Sequence, residues 1–101
     1  MDLVMGLDPG KDGAAAIVQL DGELLDVIEF GKLTAHDVSD RIEEFHADIK
    51  LAYLEKVHSM PKQGVKSTFT FGNSYGFLRG ILTALKIPYD TVTPRQWQQA
   101  M

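Results

Sequence analysis

The 101 residues carry 10 Lys plus Arg against 14 Asp plus Glu, a formal net charge of -4, with 45% apolar residues and no cysteine. A chain of this length builds one domain around one core; lacking cysteine, it has neither a disulfide framework nor a zinc-thiolate cluster, so a packed interior must stabilise it. Its longest uninterrupted apolar stretch, Ala14 to Val18, falls far short of the roughly 18 residues of a membrane span, and Asp2 stands where a signal peptide carries basic residues, which reads as a soluble, cytoplasmic protein.

Net charge conceals an asymmetry. Up to Glu55 there are 4 basic residues against 13 acidic ones; after it, Lys56, Lys62, Lys66, Arg79, Lys86 and Arg95 face Asp90 alone. An acidic average argues against a polyanionic partner, because Lys and Arg contacts to phosphate dominate nucleic-acid affinity, but the second half is basic enough to restore that reading.

In chain order, Leu3 to Leu7 is an apolar run ending at Asp8, followed by a turn cluster, Pro9-Gly10-Lys11-Asp12-Gly13, whose two glycines suit unusual backbone angles. The run Ala14 to Leu20 meets Asp21-Gly22, a strong hairpin signal, and a third run spans Leu24 to Phe30, so the chain opens as a three-stranded antiparallel unit. Thr34 is placed to cap a helix with Val38, Ile42 and Phe45 at helical spacing and a solvated face of Asp40, Glu43, Glu44 and Asp48. Leu51 to Leu54 then reads as a strand ending at Glu55, parallel to an earlier strand because a helical crossover precedes it.

The segment His58 to Lys66 contains Pro61 and Gly64 and reads as a loop, after which Ser67 is placed to cap a long helix with Phe77, Leu78, Ile81, Leu82 and Leu85 facing the core. Gly72, Gly76 and Gly80 recur every four residues in it, continued by Ala84. Glycine in a helix interior costs about 1 kcal/mol relative to alanine, so this ladder serves either tight packing on the sheet or the approach of a partner helix or nucleic-acid backbone. Pro88 closes the helix, Tyr89 to Val92 forms a fifth strand, and Thr93-Pro94 starts a further helix.

Asp8 and Glu55 each end an apolar strand, and on neighbouring parallel strands their carboxylates emerge side by side at one edge. Two clustered carboxylates repel unless a cation sits between them, and hard oxygen donors favour Mg2+ or Mn2+. His36 and His46 belong to the surface of the acidic helix. His58 follows Glu55 by three positions and enters the basic loop, where it suits a phosphate contact, base stacking, proton transfer or an ordinary surface role. The glycines at 6, 10 and 13 match neither a dinucleotide fingerprint nor a P-loop, and an actin-like nucleotide-binding fragment would lack its second domain.

Taken together, Gly6-Leu7-Asp8-Pro9-Gly10 with Gly13, Leu54-Glu55-Lys56-Val57-His58-Ser59-Met60-Pro61, Gly64-Val65-Lys66-Ser67, Phe71-Gly72 with Gly76 and Gly80, and Val92-Thr93-Pro94 resemble the RuvC-like Holliday junction resolvases, especially phage and prophage relatives, within the ribonuclease H-like superfamily. The resemblance implies an α/β fold with a mixed five-stranded sheet of order 3-2-1-4-5 flanked by helices. It implies that Asp8 and Glu55 are the first two carboxylates of a metal-binding tetrad, with Mg2+ (Mn2+ as substitute) activating water and stabilising the departing 3′ oxygen. Where His58 stands, the family carries an aromatic residue that stacks near the branch point. Lys62, Lys66, Arg79 and Arg95 are expected to contact the DNA backbone, which positions DNA without reading its sequence.

The family continues into a last helix with two more metal-binding carboxylates, whereas nothing after Glu55 except Asp90 is acidic here. On this resemblance, residues 1–101 are expected to form a single ribonuclease H-like domain that is C-terminally truncated and weak in cleavage. The expected activity is that of a Mg-dependent crossover junction endodeoxyribonuclease acting on branched DNA as a homodimer in recombination, repair or phage DNA processing, in a bacterial or phage-infected cytoplasm. The alternative is a non-catalytic, structure-selective DNA-binding or dimerisation module of the same fold.

Overall fold

The computed structural model describes residues 1–10, 12–56 and 65–93, the side chains of 65–68 excepted. Its elements are β1 (Leu3–Asp8), β2 (Ala14–Gln19), β3 (Leu24–Glu29), a single 3-10 turn (Phe30–Lys32), α1 (Ala35–Phe45), β4 (Ile49–Glu55), α2 (Val65–Ala84) and β5 (Tyr89–Val92). The strands form one sheet in the order β3-β2-β1-β4-β5. β1 and β2 are antiparallel, as are β2 and β3, while β4 runs parallel to both β1 and β5.

Alternation along the strands decides which face is buried. Leu3, Met5 and Leu7 of β1, Ala15 and Ile17 of β2, Ile28 of β3, and Ala52 and Leu54 of β4 point into one core with Val38 and Ile42 of α1 and Leu78, Ile81 and Leu82 of α2. Both helices thus cover the same face. Each fully buried aliphatic side chain contributes about 1.5–3 kcal/mol relative to its exposed state. The intervening residues Val4 and Gly6, Ala14 and Ala16, and Leu51 and Tyr53 lie half-buried on the other face.

The Asp21-Gly22 turn forms as expected, with Gly22 at φ +94° and its amide donating to the Gln19 carbonyl at 2.9 Å. β3 is less apolar in use than in composition: Leu24, Leu25 and Val27 are exposed at this sheet edge and only Ile28 is buried. β4 begins at Ile49, earlier than the run Leu51 to Leu54, because Ile49 itself enters the core.

The two helices are finished differently. At the start of α1, the Asp37 amide donates to Thr34 Oγ1 at 3.1 Å and the Thr34 amide donates to the Asp37 carboxylate at 3.3 Å, a reciprocal cap. Arg41 then donates to Asp26 of β3 at 2.6 Å, pinning the helix to the edge strand.

α2 starts at Val65, so Ser67 lies inside its first turn rather than ahead of it, because nothing from Val65 to Thr70 breaks a helix. Phe77 leaves the expected core stripe and is 38% exposed, since Leu78, Ile81 and Leu82 already occupy the sheet-facing arc. Gly72, Gly76 and Gly80 face outward with nothing within 4 Å of where a Cβ would stand, so close packing on the sheet is not their role. The helix ends before Pro88: Lys86 adopts φ 58°, and the Ile87 and Lys86 amides return to the Leu82 and Thr83 carbonyls at 2.9 and 3.2 Å. The helix expected from Thr93-Pro94 lies outside the described residues. Among the described residues, no helix is long and apolar enough to cross a membrane.

Candidate metal centre

β1 and β4 are adjacent and parallel, with Leu7 paired to Leu54. The next residue on each strand is an acid, Asp8 and Glu55. Since Leu7 and Leu54 are buried in the core, alternation turns both carboxylates to the other face, at the C-terminal edge of the central strands. Asp8 is exposed and Glu55 half-buried. They share a pocket of about 170 Å3 with Gly6, Ala14, Ala16, Tyr53 and Val92. The small residues leave room beside the carboxylates.

Glu55 is pushed up from its ordinary value near 4.5 to about 7, first by burial, then by a hydrogen bond with Asp8 and by the Asp8 charge. Half-burial beside a second carboxyl thus makes the charged form of Glu55 costly when no cation is present. Oxygen donors placed where positive charge is needed fit a hard divalent cation such as Mg2+ or Mn2+. Among the described residues, no third Asp, Glu or His joins them in a metal-binding group. Asp90, exposed on β5, pairs with Tyr53 in the sheet, two positions short of the Glu55 partner Val92.

The turn that carries Asp8 is built tightly. Gly10 takes φ +132°, as the sequence suggested, but Gly13 needs no unusual angle; the position is crowded instead. Its amide donates to the Gly10 carbonyl at 3.3 Å, and its carbonyl accepts from the Phe30 amide at 3.0 Å.

Of the expected DNA-contacting residues, Arg79 is exposed on α2, its guanidinium 5.8 Å from the centre of the Tyr75 ring and its Nε donating to the Tyr89 hydroxyl at 3.3 Å. That bond holds the Tyr89 phenol below its ordinary value. Phe71 stacks on Tyr75 one turn earlier, at 6.2 Å between ring centres. Lys66 lies in the first turn of α2, with its side chain outside the description, and His58, Lys62 and Arg95 lie outside the described residues. Tyr53 was overlooked in the sequence, although its position two residues before Glu55 places it on the same sheet face.

No family model matches the sequence, and no curated protein matches it. Solved structures do. Thermus thermophilus RuvC in complex with a Holliday junction substrate superposes with a TM-score of 0.75 at 18% identity, covering 100% of this chain and 70% of that one. A second Thermus thermophilus RuvC structure gives a TM-score of 0.64 at 19% identity, covering 97% and 68%. With its mixed five-stranded sheet of order β3-β2-β1-β4-β5 flanked by helices, the chain has the ribonuclease H-like fold of the RuvC resolvases.

Proposed function

We propose that the protein is a divalent-metal-dependent endonuclease that cuts branched DNA, four-way junctions included, with residues 1–101 as one domain and Asp8 and Glu55 as its metal-binding, catalytic carboxylates. The placement of two carboxyls at the tips of adjacent parallel strands, lining one pocket, carries this reading. The fold neighbour bound to a Holliday junction supports the substrate class, and the setting would be recombination, repair or phage DNA processing.

Asp8, the more exposed acid, offers its oxygens to the open side of the pocket. Glu55, half-buried beside Asp8 and with its pKa raised to about 7, would hold the ion from the inner side of the pocket in its charged form. Bound Mg2+ or Mn2+ would supply Lewis-acid chemistry, activating water and stabilising the departing 3′ oxygen. Arg79, oriented by Tyr75 and Tyr89, contacts backbone phosphate with its outward N–H groups. Lys62, Lys66 and Arg95 act likewise, and His58 stacks or contacts phosphate near the branch. Two symmetric cuts need two sites, and the homodimer uses the outer face of α2, where the open glycines stand beside exposed Phe69 and Phe77.

The test is cleavage of a four-way DNA junction in Mg2+ by the chain and by Asp8→Asn. Cutting by the parent with at least a 100-fold loss in the variant is the expected result, and equal cutting by both would remove Asp8 from the mechanism. A second reading, a non-catalytic junction-binding module, is favoured because no third Asp, Glu or His joins Asp8 and Glu55 among the described residues. It is selected if neither chain cuts while both bind branched DNA without metal and with steep salt dependence.

A further inference from the structure

A side chain is excluded at position 13 for a reason unrelated to backbone angle. The chain leaves β1 at Asp8 and enters β2 at Ala14, directly opposite it in the antiparallel pair. The reversal is so tight that a Cβ on Gly13 would overlap the carbonyl oxygen of Asp8 and stand 3.0 Å from the carbonyl carbons of both Asp8 and Pro9. These are backbone atoms, which cannot swing aside as the end of a flexible side chain can. Gly13 is also clamped at both of its own polar groups, by Gly10 and by Phe30. Gly13 and Pro9 are buried, whereas the Asp8 residue they hold is exposed. The same residue that presses its carbonyl against Gly13 sends its carboxyl to Glu55, so moving one turns the other.

We infer that the backbone contact between Gly13 and Asp8 aims the Asp8 carboxylate for cation binding, which makes Gly13 a positioning residue that contributes no ligand atom. The inference rests on the reading of Asp8 as a metal ligand. Groups that hold a ligand in place without touching the metal are typically worth 10–100-fold in affinity, and a displaced backbone belongs in that range.

Mn2+ alone, titrated into the 101-residue chain and followed by paramagnetic broadening of amide signals, gives a readout independent of cleavage. Gly13→Ala is expected to keep the helical signature and the core resonances while binding Mn2+ about 10-fold or more weakly. Gly22→Ala serves as the control: it burdens a glycine for its backbone angle, φ +94° in open space, rather than for crowding, and is expected to lower the melting temperature with Mn2+ affinity unchanged. Asp8→Asn is expected to lose binding. Parent-like affinity in Gly13→Ala, with binding lost in Asp8→Asn, overturns the role of Gly13 and leaves the site intact; parent-like affinity in Asp8→Asn overturns the site itself. If Gly13→Ala does not fold, Pro9→Gly takes its place, releasing the fixed φ that presses the turn closed. A several-fold weaker Mn2+ affinity in folded Pro9→Gly supports the inference, and unchanged affinity overturns it.

Discussion

α1 and α2 pack on the same sheet face, yet their outer surfaces differ in kind. α1 buries Val38 and Ile42, shows acids to solvent, carries a reciprocal Thr34–Asp37 cap and is tied to β3 through Arg41 and Asp26. α2 buries Leu78, Ile81 and Leu82, but its outer side offers open glycines and two exposed phenylalanines, with Arg79 held by aromatic rings rather than by an acid. A helix polar on its outer face ends its dealings at the surface. A helix that is small and apolar there presents a surface suited to contact with another molecule.

The contrast can be broken most sharply at the glycines. Replacing Gly72, Gly76 and Gly80 together by alanine should raise monomer stability by about 2–3 kcal/mol, because each gains helix propensity and no Cβ meets an atom. The same change should weaken self-association in sedimentation equilibrium. A loss of monomer stability would show that the ladder packs inward after all.

The next effect lies within the sheet, where β1 meets β4. In metal-free protein the folded state holds the Glu55 proton up to about pH 7, whereas the unfolded chain releases it near 4.5. The folded state therefore binds more protons between these values. Its stabilisation is complete below about 4.5 and is lost as pH rises through 7. Discounted for solvent screening at a half-exposed site, the loss is about 1 kcal/mol, roughly 4–8 °C in melting temperature for a domain of this size. Glu55→Gln should flatten that slope, and added Mg2+ should oppose it in the parent.

The finished character of α1 predicts smaller, separable losses. Thr34→Ala should cost about 1 kcal/mol through the cap, and Arg41→Ala at most about 1 kcal/mol, shrinking with added salt because the bridge is partly exposed. Urea titrations at low and high ionic strength distinguish the two.

Local patterns made much of this legible. Thr34, Asp21-Gly22 and the alternating or helical apolar spacings act on near neighbours, so the strands and the first helix could be read from residue order, while the full sheet order followed only from the family resemblance. Asp8 and Glu55 were recognisable because each closes an apolar strand and the topology makes those strands neighbours. What escaped depends on contacts between distant elements or on packing direction. Periodicity groups Gly72, Gly76 and Gly80 on one face without saying which way it points, and it assigned Phe77 to a core already filled by its neighbours. The Arg79–Tyr89 bond joins α2 to β5. Gly13 looked like a residue chosen for its torsions, whereas the Asp8 backbone passing over it decides the matter.

The pairing of Leu7 with Leu54 also sets an order of events during synthesis. Asp8 emerges early and β1 can pair at once with β2 through a short reversal, but Glu55 arrives only after more than half of the 101 residues have been made. Closing that long loop carries an entropic cost that the hairpin avoids. A nascent chain therefore holds its first acid on a formed antiparallel unit while the second is still absent, and the two carboxyls meet only once β4 has docked.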